Sequence, residues 1–383
     1  MGHNINSIEI FSGAGGLAKG IELAGAHHNA FVEWNSDACK TLRLNYPPNI
    51  VHEEDIRAFR FDIYKDIDLI AGGPPCQPFS LGGKAKGHTD ERDMFPSAIS
   101  AIRDLRPKAF IFENVKGLLR KSFSDYFNYI ILQLTYPTIE CDNRSTWREH
   151  LDVLKGIIPG QVEDGESYNV VYKLVNAADY GVPQKRERVL IVGIRKDLHS
   201  DWTFPSPTHS SDALLWDKYV TQNYWKRHGI EVPEKDASIL GKERERLLAK
   251  YGVFHPQLQP WVTIRDCIED LPTPSSEGCP DSTREHIIRT GAREYPGHTG
   301  SNIDLPSKTI KAGGHGVPGG ENMIKFTDGT VRYMTILEAK RIQTFPDDYP
   351  INGSWTEAMR QLGNAVPVRL SYIVASSLFQ SVF

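Results

Sequence analysis

One thiol, Cys76, lies within Gly72-Gly73-Pro74-Pro75-Cys76-Gln77-Pro78-Phe79-Ser80. A thiolate is a strong nucleophile whose reactivity depends on exposure and on nearby positive charge. Pro74 and Pro75 have fixed φ and no N–H, so they neither continue a strand ladder nor enter a helix interior. The residue before each is held extended. Cys76 is thus carried on a stiff shelf. The plain alternative is a small buried Cys in a Pro-rich turn, so the outcome depends on what else points at the same edge. Glu113 follows the apolar run Ala109-Phe110-Ile111-Phe112. It could be a general acid beside a nucleophile, or could cap the next turn. Gln184-Lys185-Arg186-Glu187-Arg188 puts basic groups on a tight loop. They could face an anion or a base carbonyl; charge pattern alone favours a solvated hairpin.

The elements that must position these groups read as an α/β fold. Residues 67–71 form a short apolar run ended by two glycines and two prolines, a buried strand. In open α/β sheets the carboxyl edge of such a strand is where ligands bind. Residues 7–11 read as a strand, 12–16 as a Gly-rich turn and 17–24 as a helix, the opening of a nucleotide-binding unit. A helix N-terminus there favours negative charge. Residues 30–32 and 49–52 read as further strands. The first is followed by Glu33, which could hydrogen-bond a ribose diol, and Trp34, which could stack on adenine. Asp55 could accept from an adenine amino group. Either acid could equally cap a helix or sit in a solvated loop. Together they imply an adenosine compound that need not carry a pyrophosphate.

Composition excludes several classes. The chain has 383 residues, 40% hydrophobic and 24% charged, as an ordinary globular protein has. No apolar run is long enough to span a bilayer, and the N-terminus lacks a signal-peptide pattern. The 5 cysteines include no CxxC pair, which argues against a disulfide framework or structural zinc and for a reducing, cytoplasmic setting. A net charge of −4 does not advertise nucleic-acid binding, although a local basic cleft is compatible with it.

Further along, residues 81–93 are polar, rich in Gly and Lys and without apolar period, and read as a lid. Helical spacing recurs over 94–105 and 126–134, and strands are expected at 109–112, 170–177 and 189–194. Residues 202–208 read as a linker. From there to about 330 the chain is Pro- and Gly-rich, with short irregular elements expected. Lys308 and Lys311 lie on a flexible stretch that suits groove contact, or any surface loop. Thr335-Ile336-Leu337-Glu338 is a capping box, so a helix starts there. Pro367 opens an apolar helix over 368–378.

Taken together, these residues resemble the DNA (cytosine-5)-methyltransferases of the bacterial restriction–modification type. Phe11-Ser12-Gly13-Ala14-Gly15-Gly16 is similar to that family's first S-adenosylmethionine motif. Gly73 to Ser80 is similar to its nucleophile motif, and Glu113-Asn114-Val115 to the motif of its acid. Gln184, Arg186 and Arg188 match QxRxR. Arg332, Thr335, Glu338, Arg341, Gln343, Phe345 and Pro346 match the helix that organises recognition, and Gly363-Asn364-Ala365-Val366-Pro367 the final motif. They occur in family order.

The resemblance implies a Rossmann-like, mostly parallel methyltransferase domain over residues 1–200, completed by 331–383, with a smaller irregular target-recognition domain over 201–330. It implies that Cys76 attacks C6 of a flipped-out cytosine, that Glu113 serves N3 and the exocyclic amine, that Arg188 holds O2 and that Arg186 supports the site. S-adenosylmethionine would be lined by Phe11, Gly13, Gly15, Gly16, Leu17, Glu33, Trp34, Asp55, Ile56, Pro75, Asn364 and Val366. Ser80, Lys84, Gln184 and Arg332, with Lys308 and Lys311, would contact double-stranded DNA. A monomer with no metal and no membrane contact is expected, with a cognate endonuclease acting on the same site.

The sequence departs from the family at Ser12, where alanine is commoner, at the lid, which is one residue short, and in a polar insert around 141–165. An RNA methyltransferase of the same fold, a silent DNA-binding relative and a Rossmann dehydrogenase each explain less. The dehydrogenase leaves Cys76, Glu113 and Arg188 as coincidence.

Overall fold

The computed structural model describes residues 4–75, 93–142, 144–276, 285–312 and 322–383. Seven strands, β1 (Ile5–Ile10), β2 (Ala26–Glu33), β3 (Val51–Glu53), β4 (Leu69–Gly72), β5 (Ala109–Val115), β6 (Tyr168–Asn176) and β7 (Glu187–Arg195), form one sheet in the order β3-β2-β1-β4-β5-β7-β6. The first five pair in parallel, and β7 runs antiparallel to both β5 and β6. This is the mostly parallel α/β architecture expected from the sequence.

A parallel sheet is covered on both faces, so its strands are apolar on both. In β4, Ile70 packs with Ile99 and Ile102 on one side. Leu69 and Ala71 pack with Ile21, Leu370 and Val374 on the other. The first side carries α3 (Phe95–Leu105), reached after α1 (Gly16–Leu23) and α2 (Ser36–Asn45) in the chain, with α4 (Ser124–Thr135) and α5 (Trp147–Lys155) following.

Residues beyond 200 form β8 (His209–Ser210), α6 (Ser211–Tyr219), α7 (Asn223–Arg227), α8 (Glu234–Tyr251), β9 (Gln259–Pro260), α9 (Ile264–Ile268), β10 (Ser301–Asn302), β11 (Met323–Lys325) and β12 (Val331–Tyr333). Then come α10 (Ile336–Ile342), α11 (Trp355–Asn364) and α12 (Val368–Val382). The apolar C-terminal helix finds the surface it needs on α1, where Ser371 Oγ donates to Leu17 O at 2.6 Å. The capping box at α10 is present: Thr335 Oγ1 accepts from Glu338 N at 3.2 Å, and Glu338 Oε2 accepts from Thr335 N at 2.9 Å.

Two expectations need correction. The stretch after 204 is not uniformly short and irregular, because α8 runs 18 residues. Its sequence, EKDASILGKERERLLAKY, holds no proline, is dense in strong helix formers and has acids in the first turn. Residues 202–208 contain no regular element before β8, yet they are packed rather than loose. Trp202 is buried, with its Nε1 donating to Ser377 Oγ at 3.0 Å, and Tyr180 Oη donates to Pro205 O at 3.0 Å.

Candidate active site and cofactor cleft

Sheet register brings the chemistry-bearing residues into one row. Ile10 pairs with both Val32 and Gly72, and Gly72 pairs with Phe112. The next residues along the four parallel strands are therefore Phe11, Glu33, Gly73 and Glu113. Arg188 enters from β7, whose antiparallel course sets it opposite Val115. These groups are far apart in sequence and meet because four strands end together.

At the right of the row, Arg188 Nε lies 2.5 Å from Glu113 Oε1, with the two side chains only 13% and 11% exposed. The N–H is not aligned along this contact: Glu113 Oε1 and Arg188 Nε each lack a hydrogen bond among the described residues. It is a charge contact that leaves directional bonding free. Beside it Arg186 is fully buried, and all three of its guanidinium nitrogens lack hydrogen-bond partners among the described residues. Burial, and then the Arg188 charge, pull its pKa below the usual guanidinium range, and Glu113 works in the opposite sense. The loop is thus no solvated hairpin. It is pinned: Lys185 N donates to Ser307 O at 2.8 Å, and Gln184 Oε1 accepts from Ile310 N at 3.2 Å. A buried cation with no hydrogen-bond partner among the described residues sets a positive field where a carboxylate and a base carbonyl would meet.

The Pro shelf abuts this cluster. Asn114 Nδ2 donates to Pro74 O at 3.0 Å, and Met94 N donates to Pro75 O at 3.0 Å. A Cβ on Gly73 would stand 3.6 Å from Glu113 Oε2. Pro74, two residues before Cys76, is therefore tied to the acid's own strand, and Pro75 to the start of α3. Cys76, Ser80, Lys84 and all of the expected 81–93 lid but Asp93 lie outside the described residues.

At the left of the row is the Gly-rich turn. Gly13 N donates to Glu33 Oε2 and Asn35 N to Glu33 Oε1, each at 2.8 Å. Gly13 has φ +54°, and nothing lies within 4 Å of where its Cβ would stand. That open space is a cradle a side chain would fill. Phe11 also has a positive φ, 53°, a conformation that costs about 1–3 kcal/mol outside glycine and clusters at functional sites. Trp34 is 76% exposed, an indole face without cover. Asp55 is held by the Arg57 guanidinium, with Nη2 to Oδ2 at 2.5 Å, and this pulls its pKa down to about 2. Ile56 is buried beside it. The turn also meets the C-terminal motif: Leu17 and Val366 are buried in the same core, Asn364 is exposed at the end of α11, and a Cβ on Gly16 would stand 2.3 Å from Val366 O. This donor set, a ribose-type acid, a bare indole and an exposed amide around an open glycine turn, fits an adenosine cofactor.

The expected DNA contacts are less concentrated. Lys308 is exposed, its Nζ donating to Thr299 Oγ1 at 3.0 Å, and Lys311 is also exposed. Arg332 is committed elsewhere, its Nη1 donating to Glu338 Oε2 at 2.7 Å and its Nη2 to Oε1 at 2.5 Å. Sequence reading did not reach Tyr349, whose buried hydroxyl donates to Ala14 O at 2.8 Å beneath the turn. The insert gains a visible element, α5, capped reciprocally by Thr146 and Glu149. Tyr129 Oη and His150 Nδ1, 2.9 Å apart, join it to α4.

The sheet order and the acid–arginine row beside a glycine turn define an α/β methyltransferase. The chain belongs to the C-5 cytosine-specific DNA methylase family, whose sequence model matches residues 5–136 and 148–380. It is 31% identical over 385 residues to the type II methyltransferase M.NgoMIV of Neisseria gonorrhoeae, covering 98% of this chain and 97% of that protein. It is 30% identical over 379 residues to M.Eco47II of Escherichia coli, also a type II methyltransferase, covering 97% and 78%. The fold is shared with the Dnmt2 methyltransferase of S. pombe, at 15% identity and a TM-score of 0.55 over 99% of this chain and 100% of that one. None of the helices among the described residues is long and apolar enough to cross a membrane.

Proposed function

We propose that the protein methylates C5 of a flipped-out cytosine in a specific short sequence of duplex DNA, and that it protects that DNA in a restriction–modification system. What supports this most is the single row that holds Glu113 and Arg188 at one end and Glu33 and the Gly13 turn at the other. Chemistry and cofactor recognition then share one sheet edge.

Cytosine C5 is not nucleophilic by itself. The Cys76 thiolate adds to C6, and the C5–C6 electron pair becomes available at C5. Glu113 engages N3 and the exocyclic amine, so that charge arriving on the ring is met by a proton or hydrogen bond. Arg188 holds O2, and buried Arg186 keeps the pocket positive without contacting solvent. S-adenosylmethionine, when bound, supplies the methyl group that C5 takes up. Glu33 would hold its ribose, Trp34 and Ile56 its adenine face, Asp55 the adenine amine, and Phe11, Leu17, Pro75, Asn364 and Val366 the rest. Loss of the C5 proton to a base, water being adequate, re-forms the double bond and expels the Cys76 thiolate. A paired base cannot reach such a pocket, so the target must leave the stack. Residues 201–330 then serve as the target-recognition domain, with Gln184 anchoring the catalytic loop to it.

A duplex containing 5-fluorocytosine tests this reading. Fluorine at C5 blocks the final elimination, so incubation with S-adenosylmethionine should leave a stable covalent complex whose digestion yields a peptide containing Cys76. A cross-link at any other residue overturns the assignment. Bisulfite sequencing of DNA from expressing cells should show one short motif protected, and tRNA assayed beside duplex DNA should remain unmodified.

A further inference from the structure

The acid at the centre of the cofactor cleft is connected to the C-terminal segment by a polar relay. α11 begins at the Ser354 cap and carries Arg360 in its second turn. Arg360 Nη2 donates to Asn35 Oδ1 at 2.9 Å, while its Nε bonds Glu357 Oε2 at 2.9 Å. The same Asn35 oxygen caps α2 by accepting from Ala38 N at 3.0 Å. The backbone N–H of Asn35 donates to Glu33 Oε1 at 2.8 Å, and Glu33 Oε2 takes the N–H of Gly13 at 2.8 Å. The groups run Arg360, Asn35, Glu33, Gly13, from the last fifth of the chain to the turn that opens it.

Two features make this more than helix packing. Asn35 Oδ1 takes both of its donors, Arg360 Nη2 and Ala38 N, and this holds Asn35 in place at the residue whose backbone N–H meets Glu33 Oε1. Arg360 also senses the acid: its pairing with Glu357 raises its pKa most, burial opposes this, and Asp37 and then Glu33 add smaller contributions to the rise. The Glu33 carboxylate accepts one bond on each oxygen from the protein, which leaves acceptor capacity on each oxygen.

We propose that Arg360 is a positioning residue for the cofactor's ribose: by holding Asn35 it fixes the N–H group that orients Glu33. This rests on the S-adenosylmethionine reading above. The C-terminal segment would then serve the cofactor twice, by Asn364 and Val366 of the final motif directly and by Arg360, one turn earlier on α11, through the acid.

The test uses the full chain and S-adenosylhomocysteine, titrated by calorimetry, beside its 2′-deoxyribose analogue. Arg360→Met should weaken S-adenosylhomocysteine by about fivefold, the scale of one net hydrogen bond, and Arg360→Lys should restore most of the loss. Removing the 2′-hydroxyl should penalise the wild type more than Arg360→Met, because the ribose–acid contact is already impaired in the variant. Arg360→Gln, which keeps a donor and removes the charge, replaces Arg360→Met if that variant does not fold. Wild-type affinity in Arg360→Met, or an equal loss for both ligands, overturns the proposal. No binding by the wild type overturns the cofactor reading itself, and this inference with it.

Discussion

Arg188 Nε stands 2.5 Å from Glu113 Oε1 across the antiparallel β5–β7 pair, nearly closed off from water and without an aligned hydrogen bond. Two opposite charges so placed hold each other in position yet keep directional bonding for a third group. A pyrimidine edge carries the complementary set, an acceptor for arginine and a ring nitrogen and amine for the acid. Glu113→Gln keeps shape and removes the proton chemistry. Turnover should fall by about 10²–10⁴-fold, the range for a lost general acid, while duplex affinity changes little. Single-turnover methylation and DNA binding, measured side by side, check this. Equal loss in both would make Glu113 a structural acid.

Cys76→Ser should abolish methyl transfer. Apart from Pro75, the proposed cofactor contacts come from β1, β2, the turn after β3 and the final motif, and a sulfur-to-oxygen change leaves Pro75 in place, so S-adenosylhomocysteine affinity should stay within about twofold of wild type. Calorimetry and a tritium-transfer assay on one preparation give both numbers. Retained activity would remove the nucleophile assignment.

Strand ends and glycine turns were legible because their signals are local. Apolar runs broken by Gly and Pro mark β1 and β4, and the box at Thr335 marks α10. What stayed hidden depends on tertiary context. Arg186 sits in a charged pentapeptide that reads as solvated, yet it is fully buried, because residues 307–310 are bonded across the loop. Arg360 and Asn35 carry no motif for ribose positioning, and only the fold brings residues 325 positions apart to 2.9 Å. α8 was missed for another reason: Pro and Gly on either side of residues 234–251 outweighed a helix-forming interior.

Gly16 is where the first and last motifs touch. Its missing Cβ would stand 2.3 Å from Val366 O and 3.1 Å from Ala365 Cβ. The oxygen is backbone, so it cannot rotate away. Gly16→Ala should force the final motif off the turn, at about 1–3 kcal/mol as for other overpacked sites, and should raise the S-adenosylmethionine KM. Urea unfolding and initial rates across cofactor concentration would show it. A variant with wild-type stability and KM would mean that the two motifs shift apart freely.

Beneath the cofactor turn, Glu9 and His28 form a buried pair whose charge state sets a pH dependence. Burial raises the Glu9 pKa well above 4.5, and its Oε1 has no hydrogen-bond partner among the described residues. Burial lowers the His28 pKa from 6.5 to about 4. His28 Nδ1 is 2.7 Å from Ser7 Oγ but 3.8 Å from Glu9 Oε1, so the geometry favours two neutral groups over an ion pair. Between pH 4 and 6.5 the unfolded chain holds more protons at His28 than the native one, and this contribution to stability grows with pH. Above 4.5 the native state holds more at Glu9, and that contribution shrinks with pH. The slopes oppose one another up to 6.5, and above it only the Glu9 slope remains, at up to about 1.4 kcal/mol per pH unit. Glu9→Gln keeps the shape and cannot ionise. It should match wild type near pH 4.5 and become progressively more stable than wild type as pH rises above that, in urea unfolding. A variant less stable than wild type at pH 8 would show that Glu9 is ionised and paired with His28 instead.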